Sequence, residues 1–329
     1  MTDRSPIRIG ILGAAKIVPM ALAFPARNVP EVQVTSIAAR DPKRATRFAR
    51  LFGIPRVHET YDDLLADREI DAIYNPLPNS LHAEWTIKAL RAGKHVLCEK
   101  PFASNARQAV EMAEAAKETG LVLSEAFAYR NHPLAARMKE IAANELGGIQ
   151  HIEARFCFLL VNFFNVRYHY DLAGGALMDA GCYPVSMVRY LMNTEPNVVD
   201  AKARLIKPEV DSRMEAHLQF PDGITARIVC DMLSPRLFDS FIRVKGEAGE
   251  MTVLSPFQPS WFHWMTVRTS KNIWRGIVRG GNIYTLQLRA FANAIQAGGP
   301  LNTPANDAVN TMRVIDSIYE KAGLRLRGE

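Results

Sequence analysis

Apolar residues in the first third of the chain come in short runs rather than long amphipathic stretches. Ile7–Leu12 is such a run and ends at Gly13. Val32–Ala39, Ala72–Asn75, His95–Cys98 and Leu121–Ser124 are four more. The segments between them read as helices. Pro42–Phe52 has proline in its first turn and Gly53 just past its end, Ser80–Ala92 stops at Gly93, and Asn105–Glu118 stops at Gly120. Strands alternating with helices of this length predict parallel β-α-β units in a doubly wound sheet with right-handed connections.

The pattern changes near residue 125. His132–Asn144 reads as a helix, Ile149–Leu160 as a long strand, and Gly174-Gly175 opens another helix. Strands then follow one another at Val198–Ile206, Arg213–Phe220, Thr225–Met232 and Ser240–Gly246. Pro221-Asp222-Gly223 makes a hairpin turn between the second and third of these. Helices at Leu286–Ala297 and Asn306–Ala322 follow. The expected architecture is α/β. A doubly wound domain spans residues 1–124, and an α+β domain spans 125–329 around a large, mostly antiparallel open sheet. The last helix is expected to pack back on the first domain. A chain of 329 residues is long enough for two such cores.

Composition narrows the function. Charged residues at 22 % against 48 % hydrophobic describe a folded chain rather than a disordered one. No apolar run is long enough to span a bilayer, and the start MTDRSPIRIG has no apolar signal core. Cys98, Cys157, Cys182 and Cys230 are scattered without CxxC spacing, which points to reduced thiols and a cytoplasmic protein. No His/Cys/Asp/Glu set has metal-ligand spacing, and no Ser-His-Asp order stands out. The net charge of +6 is spread along the chain. Its densest cluster, Lys271, Arg275 and Arg279 around Trp274, reads as a solvated face, so neither nucleic acid nor membrane is an expected partner. A basic balance does favour anionic ligands.

The chemistry begins at Gly13-Ala14-Ala15-Lys16-Ile17-Val18. A strand, a turn of small residues and a helix start are the parts of a dinucleotide site. Backbone N–H groups face the pyrophosphate, and small residues let the backbone approach it. Only the first glycine of a GxGxxG pattern is present, so the placement after the first strand carries the argument. The second strand ends at Arg40-Asp41, with Arg44 one helical turn on. Two guanidinium groups here suit a ribose 2′-phosphate, which points to NADP(H) in preference to NAD(H). Asp41 would favour NAD(H) if it faced the ribose, but its position before Pro42 suits a helix cap. The first domain therefore reads as a Rossmann dinucleotide-binding domain.

Cys98-Glu99-Lys100-Pro101 follows the fourth strand, at the sheet edge where ligands bind. The stretch Ala92–Pro101, the segment Pro76-Leu77-Pro78-Asn79-Ser80-Leu81-His82 and the stretch Gly174–Pro184 resemble the signatures of the Gfo/Idh/MocA oxidoreductase family over nearly the whole chain. The resemblance implies a hydride-transferring enzyme with Lys100 as catalytic lysine and Asp179 as the aspartate of the glycine-rich motif. Tyr183 stands where many members carry histidine. That departure, with Glu125–Pro133 and Asn165-Val166-Arg167, resembles the branch of dihydrodiol dehydrogenases, bacterial xylose dehydrogenases and glucose–fructose oxidoreductase. It also implies a cis Lys100–Pro101 bond, and a homodimer or higher homo-oligomer formed through the open sheet.

The expected site follows. Lys100, Tyr183 and Asp179 are catalytic. Gly13, Ala14, Ala15, Lys16, Ile17, Arg40, Arg44, Pro76, Leu77, Asn79, His82, Glu99, Lys100 and Arg167 meet the cofactor. Tyr129, Arg130, Arg167, Asp179 and Tyr183 meet the substrate, a sugar, polyol or trans-dihydrodiol. Oxidising an alcohol requires a base, and burial beside a positive nicotinamide would bring a lysine into the useful range. Asp179 and Tyr183 are four apart, so on an α-helix they share a face. His82 reads otherwise as an exposed residue beside a helix cap, and His132 as a partner for a helix start. Trp261-Phe262-His263-Trp264 reads as sheet core or a subunit surface. Other functions stay open: glycosidic cleavage with transient use of nicotinamide, sugar–sugar oxidoreduction on a retained cofactor, or non-catalytic nucleotide binding.

Overall fold

The computed structural model describes residues 5–329. They form two compact units. The first takes in residues through Ala103, Arg107–Asn131 and Asn282–Val309; the second takes in Ser104–Ala106, His132–Gly281 and Asn310–Glu329.

Strands β1 (Ile7–Leu12), β2 (Val32–Ala38), β3 (Arg56–His58), β4 (Ala72–Asn75), β5 (His95–Cys98) and β6 (Leu123–Glu125) build the first unit's sheet. All pair in parallel, in the order β3-β2-β1-β4-β5-β6. This is the doubly wound order, and the chain reverses direction of travel between β1 and β4, where such sheets place their ligands. A π-helical turn, Pro19–Ala23, leads into α1 (Phe24–Ala26). The helices α2 (Pro42–Phe52), α3 (Tyr61–Ala66), α4 (His82–Arg91) and α5 (Ala106–Thr119) follow in order. Asp41 caps α2 by accepting from the Lys43 N–H at 3.0 Å, the role its place before Pro42 suggested. Ile9, Ile11, Val18, Ile37, Tyr74 and Leu97 are buried around β1. β3 and α3 were not anticipated. β3 is three residues long with Arg and His at its ends and so carries no apolar run, and α3 is a six-residue helix set by a Thr60–Asp63 capping box.

The second unit is built on β7 (Ile149–Leu159), β8 (Asn197–Lys207), β9 (Val210–Gln219), β10 (Thr225–Asp231), β11 (Leu233–Gly246), β12 (Gly249–Leu254), β13 (Trp264–Thr269) and β14 (Ile273–Gly276). They lie in the order β14-β13-β12-β11-β7-β10-β9-β8, with β7 and β10 parallel and the other neighbours antiparallel. Alternation sorts each strand into two faces. Ile152, Ala154, Ala226, Ile228, Met214 and Ala216 are buried on one face, and α7 (Cys182–Met192) packs on β7 and β10 and against α6 (Pro133–Asn144). The opposite face carries a ladder of alternating charge. Arg204 meets Asp231 at 3.0 Å, Arg213 meets Glu215 at 2.9 Å, Arg227 bridges Glu215 (2.7 Å) and Glu153 (3.0 Å), and Arg155 closes on Glu153 at 2.5 Å. β12 to β14 were not anticipated: Met251, Val253, Met265 and Val267 alternate regularly with Thr252, Thr266 and Arg268, but the runs are short, at six, six and four residues. Trp261 and Phe262, 71 % and 58 % exposed, lie in the connection before β13 and outside the sheet's core.

α8 (Ile283–Ala297) starts three residues earlier than its apolar pattern suggests, because Asn282 caps it through the N–H groups of Tyr284 and Thr285. It belongs to the first unit, and α9 (Ala305–Lys321) is divided between the two.

Candidate active site

In the first unit, Gly13 leaves β1 at φ 88°, and a Cβ there would meet Leu77 Cδ2 at 3.0 Å. The loop after β4 therefore lies against the glycine turn. Val18 N–H closes the turn onto the Ala15 carbonyl at 3.2 Å, Lys16 is exposed, and Ala15 and Ile17 are half-buried. Arg44 donates to the Ala14 carbonyl at 2.7 Å, so it fixes the turn while keeping its exposed position. Arg40 is exposed at the end of β2. Tyr61, which lies in no recognised motif, completes this corner. Its ring stacks edge-on to Trp85 with centroids 4.8 Å apart. Burial pushes its phenol pKa up, against the Arg40 backbone N–H and the charges of Arg40 and Arg44.

Beyond β4, Asn75 ties the loop to α4 through Thr86 Oγ1 at 3.1 Å, and Leu77 N–H returns to Asn75 Oδ1 at 3.3 Å. Pro76 is buried, and Asn79 opens a half-buried 3-10 turn. His82 is not exposed. It has no exposed area, and its ring nitrogens lie 2.9 Å from the Pro101 carbonyl and 2.8 Å from the Leu77 carbonyl. Burial, with the Lys100 charge nearby, pulls its pKa down to about 4 despite the two carbonyls. His82 thus fastens the loop after β5 to the loop after β4.

The Lys100–Pro101 bond is cis. Glu99 is buried, and its carboxylate accepts from the Tyr74 hydroxyl at 2.6 Å and from the Lys100 N–H at 3.3 Å. Tyr74 sits inside an apolar parallel strand, and a buried tyrosine needs a partner for its hydroxyl; that signal was present in the sequence. Tyr284 is near enough to respond to both Glu99 and Lys100, and burial pushes its pKa up to about 12. Glu99 therefore stands as a support behind Lys100. Tyr129 and Arg130 are both buried. Tyr129 is 1 % exposed and packs on Phe127 at 5.6 Å. Arg130 is buried, and its guanidinium is engaged by Asp307 (3.3 Å) and the Asn302 carbonyl (2.9 Å). Both support the turn after β6.

In the second unit, the glycine pair explains where Arg167 goes. Gly174 and Gly175 N–H groups bond back to the His169 and Arg167 carbonyls, each at 2.9 Å. A Cβ on Gly174 would lie 2.5 Å from the Arg167 carbonyl oxygen, so only glycine lets the two segments touch. Arg167 then pairs with Asp179 at 2.6 Å, steadied by Asn165 Oδ1 at 3.2 Å. Asp179 lies in a π-helical turn, Leu177–Gly181, and α7 begins at Cys182. The α-helical spacing assumed for Asp179 and Tyr183 is therefore replaced by a π-to-α junction, a form found often at functional positions. Tyr183 is half-buried against Phe156 (5.0 Å) and Phe257 (5.5 Å). His132 caps α6 by accepting from the Leu134 N–H at 3.1 Å. Among the described residues no group of three His, Cys, Asp or Glu could hold a metal, and no helix is long and apolar enough to cross a membrane.

Comparison with known proteins bears on both units. The GFO/IDH/MocA model, an oxidoreductase family with an NAD-binding Rossmann fold, matches residues 7–127, and the GFO/IDH/MocA C-terminal domain model matches residues 136–252. The chain is 35 % identical over 316 residues to the NADP(+)-using D-xylose 1-dehydrogenase 2 of Haloferax volcanii, covering 95 % of this chain and 96 % of that one. It is 32 % identical over 333 residues to the dTDP-3,4-didehydro-2,6-dideoxy-alpha-D-glucose 3-reductase of Streptomyces violaceoruber, covering 97 % and 96 %. A crystal structure of a 3-ketoreductase from Actinomadura kijaniata, in complex with NADP and TDP-benzene, superposes with a TM-score of 0.89 at 29 % identity, covering 96 % of this chain and 98 % of that one.

Proposed function

The chain belongs to the GFO/IDH/MocA oxidoreductase family, and from that premise we propose that it transfers a hydride between NADP(H) and a hydroxyl- or carbonyl-bearing carbon of a sugar, polyol or diol. The observation that carries this reading is Lys100 at the C-terminal edge of β5, next to a glutamate held by Tyr74. Ligands of doubly wound sheets bind at that edge.

The residues present fit NADP(H). Gly13, Ala14, Ala15, Lys16 and Ile17 offer a small-residue turn for the pyrophosphate. Arg40 and Arg44 suit the 2′-phosphate, and Asp41, the acid that would favour NAD(H), caps α2 instead. When bound, the nicotinamide supplies hydride acceptance or donation. Lys100 takes the proton of the reacting hydroxyl in oxidation and returns it in reduction. In the second unit, Tyr183 serves as a hydrogen-bond donor to the substrate. Asp179 holds Arg167, whose guanidinium orients the substrate or the cofactor amide.

A substrate panel run with NADP and NAD in parallel tests this, with xylose, glucose, inositol, a trans-dihydrodiol and a dTDP-keto sugar. Arg40→Ala is expected to raise KM for NADP roughly 10- to 100-fold, the worth of a charge-assisted bond, with little change for NAD or in kcat. Arg44→Ala is expected to weaken both cofactors, because it also supports the Ala14 carbonyl. Better use of NAD than NADP by the unaltered protein would remove the reading of Arg40.

The compartment proposed is the cytoplasm, supported by four buried cysteines that form no disulfide with one another. The assembly proposed is a homo-oligomer through the open face of the eight-stranded sheet. Its charge ladder neutralises itself and can meet its own copy about a twofold axis. Sedimentation equilibrium is expected to give a dimer or a multiple of it, and a monomer at micromolar concentration would exclude the assembly.

A further inference from the structure

Arg327 lies outside the glycine turn, the Glu99-Lys100-Pro101 segment and the Gly174–Pro184 stretch, yet neither it nor Asp211 has any exposed side-chain area. The guanidinium donates to Asp211 Oδ1 at 2.9 Å, to the Gly174 carbonyl at 2.7 Å and to the Arg325 carbonyl at 3.1 Å. It stacks 4.0 Å from the Tyr319 ring centre and 5.1 Å from that of Tyr170. Asp211 in turn accepts from the Leu177 N–H at 2.7 Å, the first residue of the π turn that carries Asp179, and from the Tyr319 hydroxyl at 3.1 Å. One ion pair thus grips the glycine loop on both sides, by a carbonyl before Gly175 and an N–H after it.

The segment that brings Arg327 there is itself tied down. Asn105 donates to the Arg327 carbonyl at 2.7 Å, Tyr170 to the Leu326 carbonyl at 2.6 Å, and the Arg325 N–H to Glu209 at 3.0 Å. A buried ion pair is by itself weak evidence for stability, since well-packed apolar groups can do as well. What apolar groups cannot do is hold one N–H and one C=O of a loop in fixed places. The distinctive product of this pair is loop geometry.

We propose that Arg327 is a positioning residue, and that the segment after α9 is a latch setting the turn from which Asp179 and Tyr183 project. The inference rests on the reading above that this turn serves catalysis. Arg327→Leu in the full chain is expected to lower kcat for D-xylose, or the panel's best substrate, by roughly 10- to 100-fold, as misplacement of catalytic groups does. The NADPH dissociation constant, read by fluorescence, should change far less than kcat, because the small-residue turn and Arg40 proposed to hold the cofactor's phosphates are untouched. Hydrogen exchange in the cofactor-free protein should quicken at the Leu177–Asp179 amides. Arg327→Lys can meet Asp211 but not fork to Gly174, and should fall between the two. A folded Arg327→Leu protein with kcat within twofold of the original and unchanged exchange overturns the latch. Should Arg327→Leu not fold, Asp211→Asn with Arg327→Met leaves no unpaired charge and is judged by the same readouts. Tyr183→Phe separates the two ideas: full turnover there defeats the catalytic reading of this turn, whereas loss there with normal Arg327 variants defeats the latch alone.

Discussion

Replacing Lys100 with methionine is expected to lower kcat by about 10³-fold, within the range that a positioned proton-transfer group supplies. Methionine keeps the apolar stem and lacks the ammonium, so packing along the stem is retained. The backbone bond from Lys100 N–H to Glu99 and the clamp from His82 to the Pro101 carbonyl involve no lysine side-chain atom and survive the change. NADPH should therefore bind within about threefold of its original affinity, and the loss should fall on kcat and kcat/KM together, the signature of an interaction made in the transition state. Steady-state kinetics with a parallel cofactor titration decides it. Near-normal turnover in Lys100→Met would move the proton to Tyr183.

The cofactor half was legible because its signals are local. A strand, a small-residue turn and an arginine one helical turn past the next strand are separated by few residues, and the structure keeps each where the spacing put it. Asp41 shows the same economy: a residue before Pro42 can be judged as a cap from three neighbours alone. Supporting residues were harder. The burial of His82 was not legible, because nothing nearby announces that the Leu77 and Pro101 carbonyls converge on it. Arg130 is gripped by Asp307 and Asn302, more than 170 positions away, and no local spacing announces that grip. The π turn at Leu177–Gly181 was invisible for a related reason. It is held by Asp211, and a helix's hydrogen-bond register is not written in apolar spacing when a distant carboxylate sets its first N–H.

The same network sets the cost of a second substitution. Gly175 has φ 135°, outside what side-chain-bearing residues adopt, and a Cβ there would stand 2.1 Å from Asp211 Oδ1, 2.9 Å from the Tyr319 hydroxyl and 3.1 Å from Arg327 Nη2. None of these atoms can retreat freely, since each is buried and bonded to the others. Gly175→Ala must therefore either break the Asp211–Arg327 pair or unseat the loop, and stranding a buried charge alone costs about 3–5 kcal/mol. Conformational strain adds about 1–3 kcal/mol. A loss of that size takes most of a typical domain's stability, so the variant is expected to be largely insoluble or to unfold at a much lower urea concentration. Gly53→Ala supplies the comparison. It too has positive φ, 71°, but its Cβ would meet nothing within 4 Å, and it should lose only about 1–2 kcal/mol. Equal losses in the two would mean that backbone conformation alone accounts for Gly175. A several-fold greater loss at Gly175 would mean that the glycine is there to leave room for a carboxylate and a guanidinium brought from far along the chain.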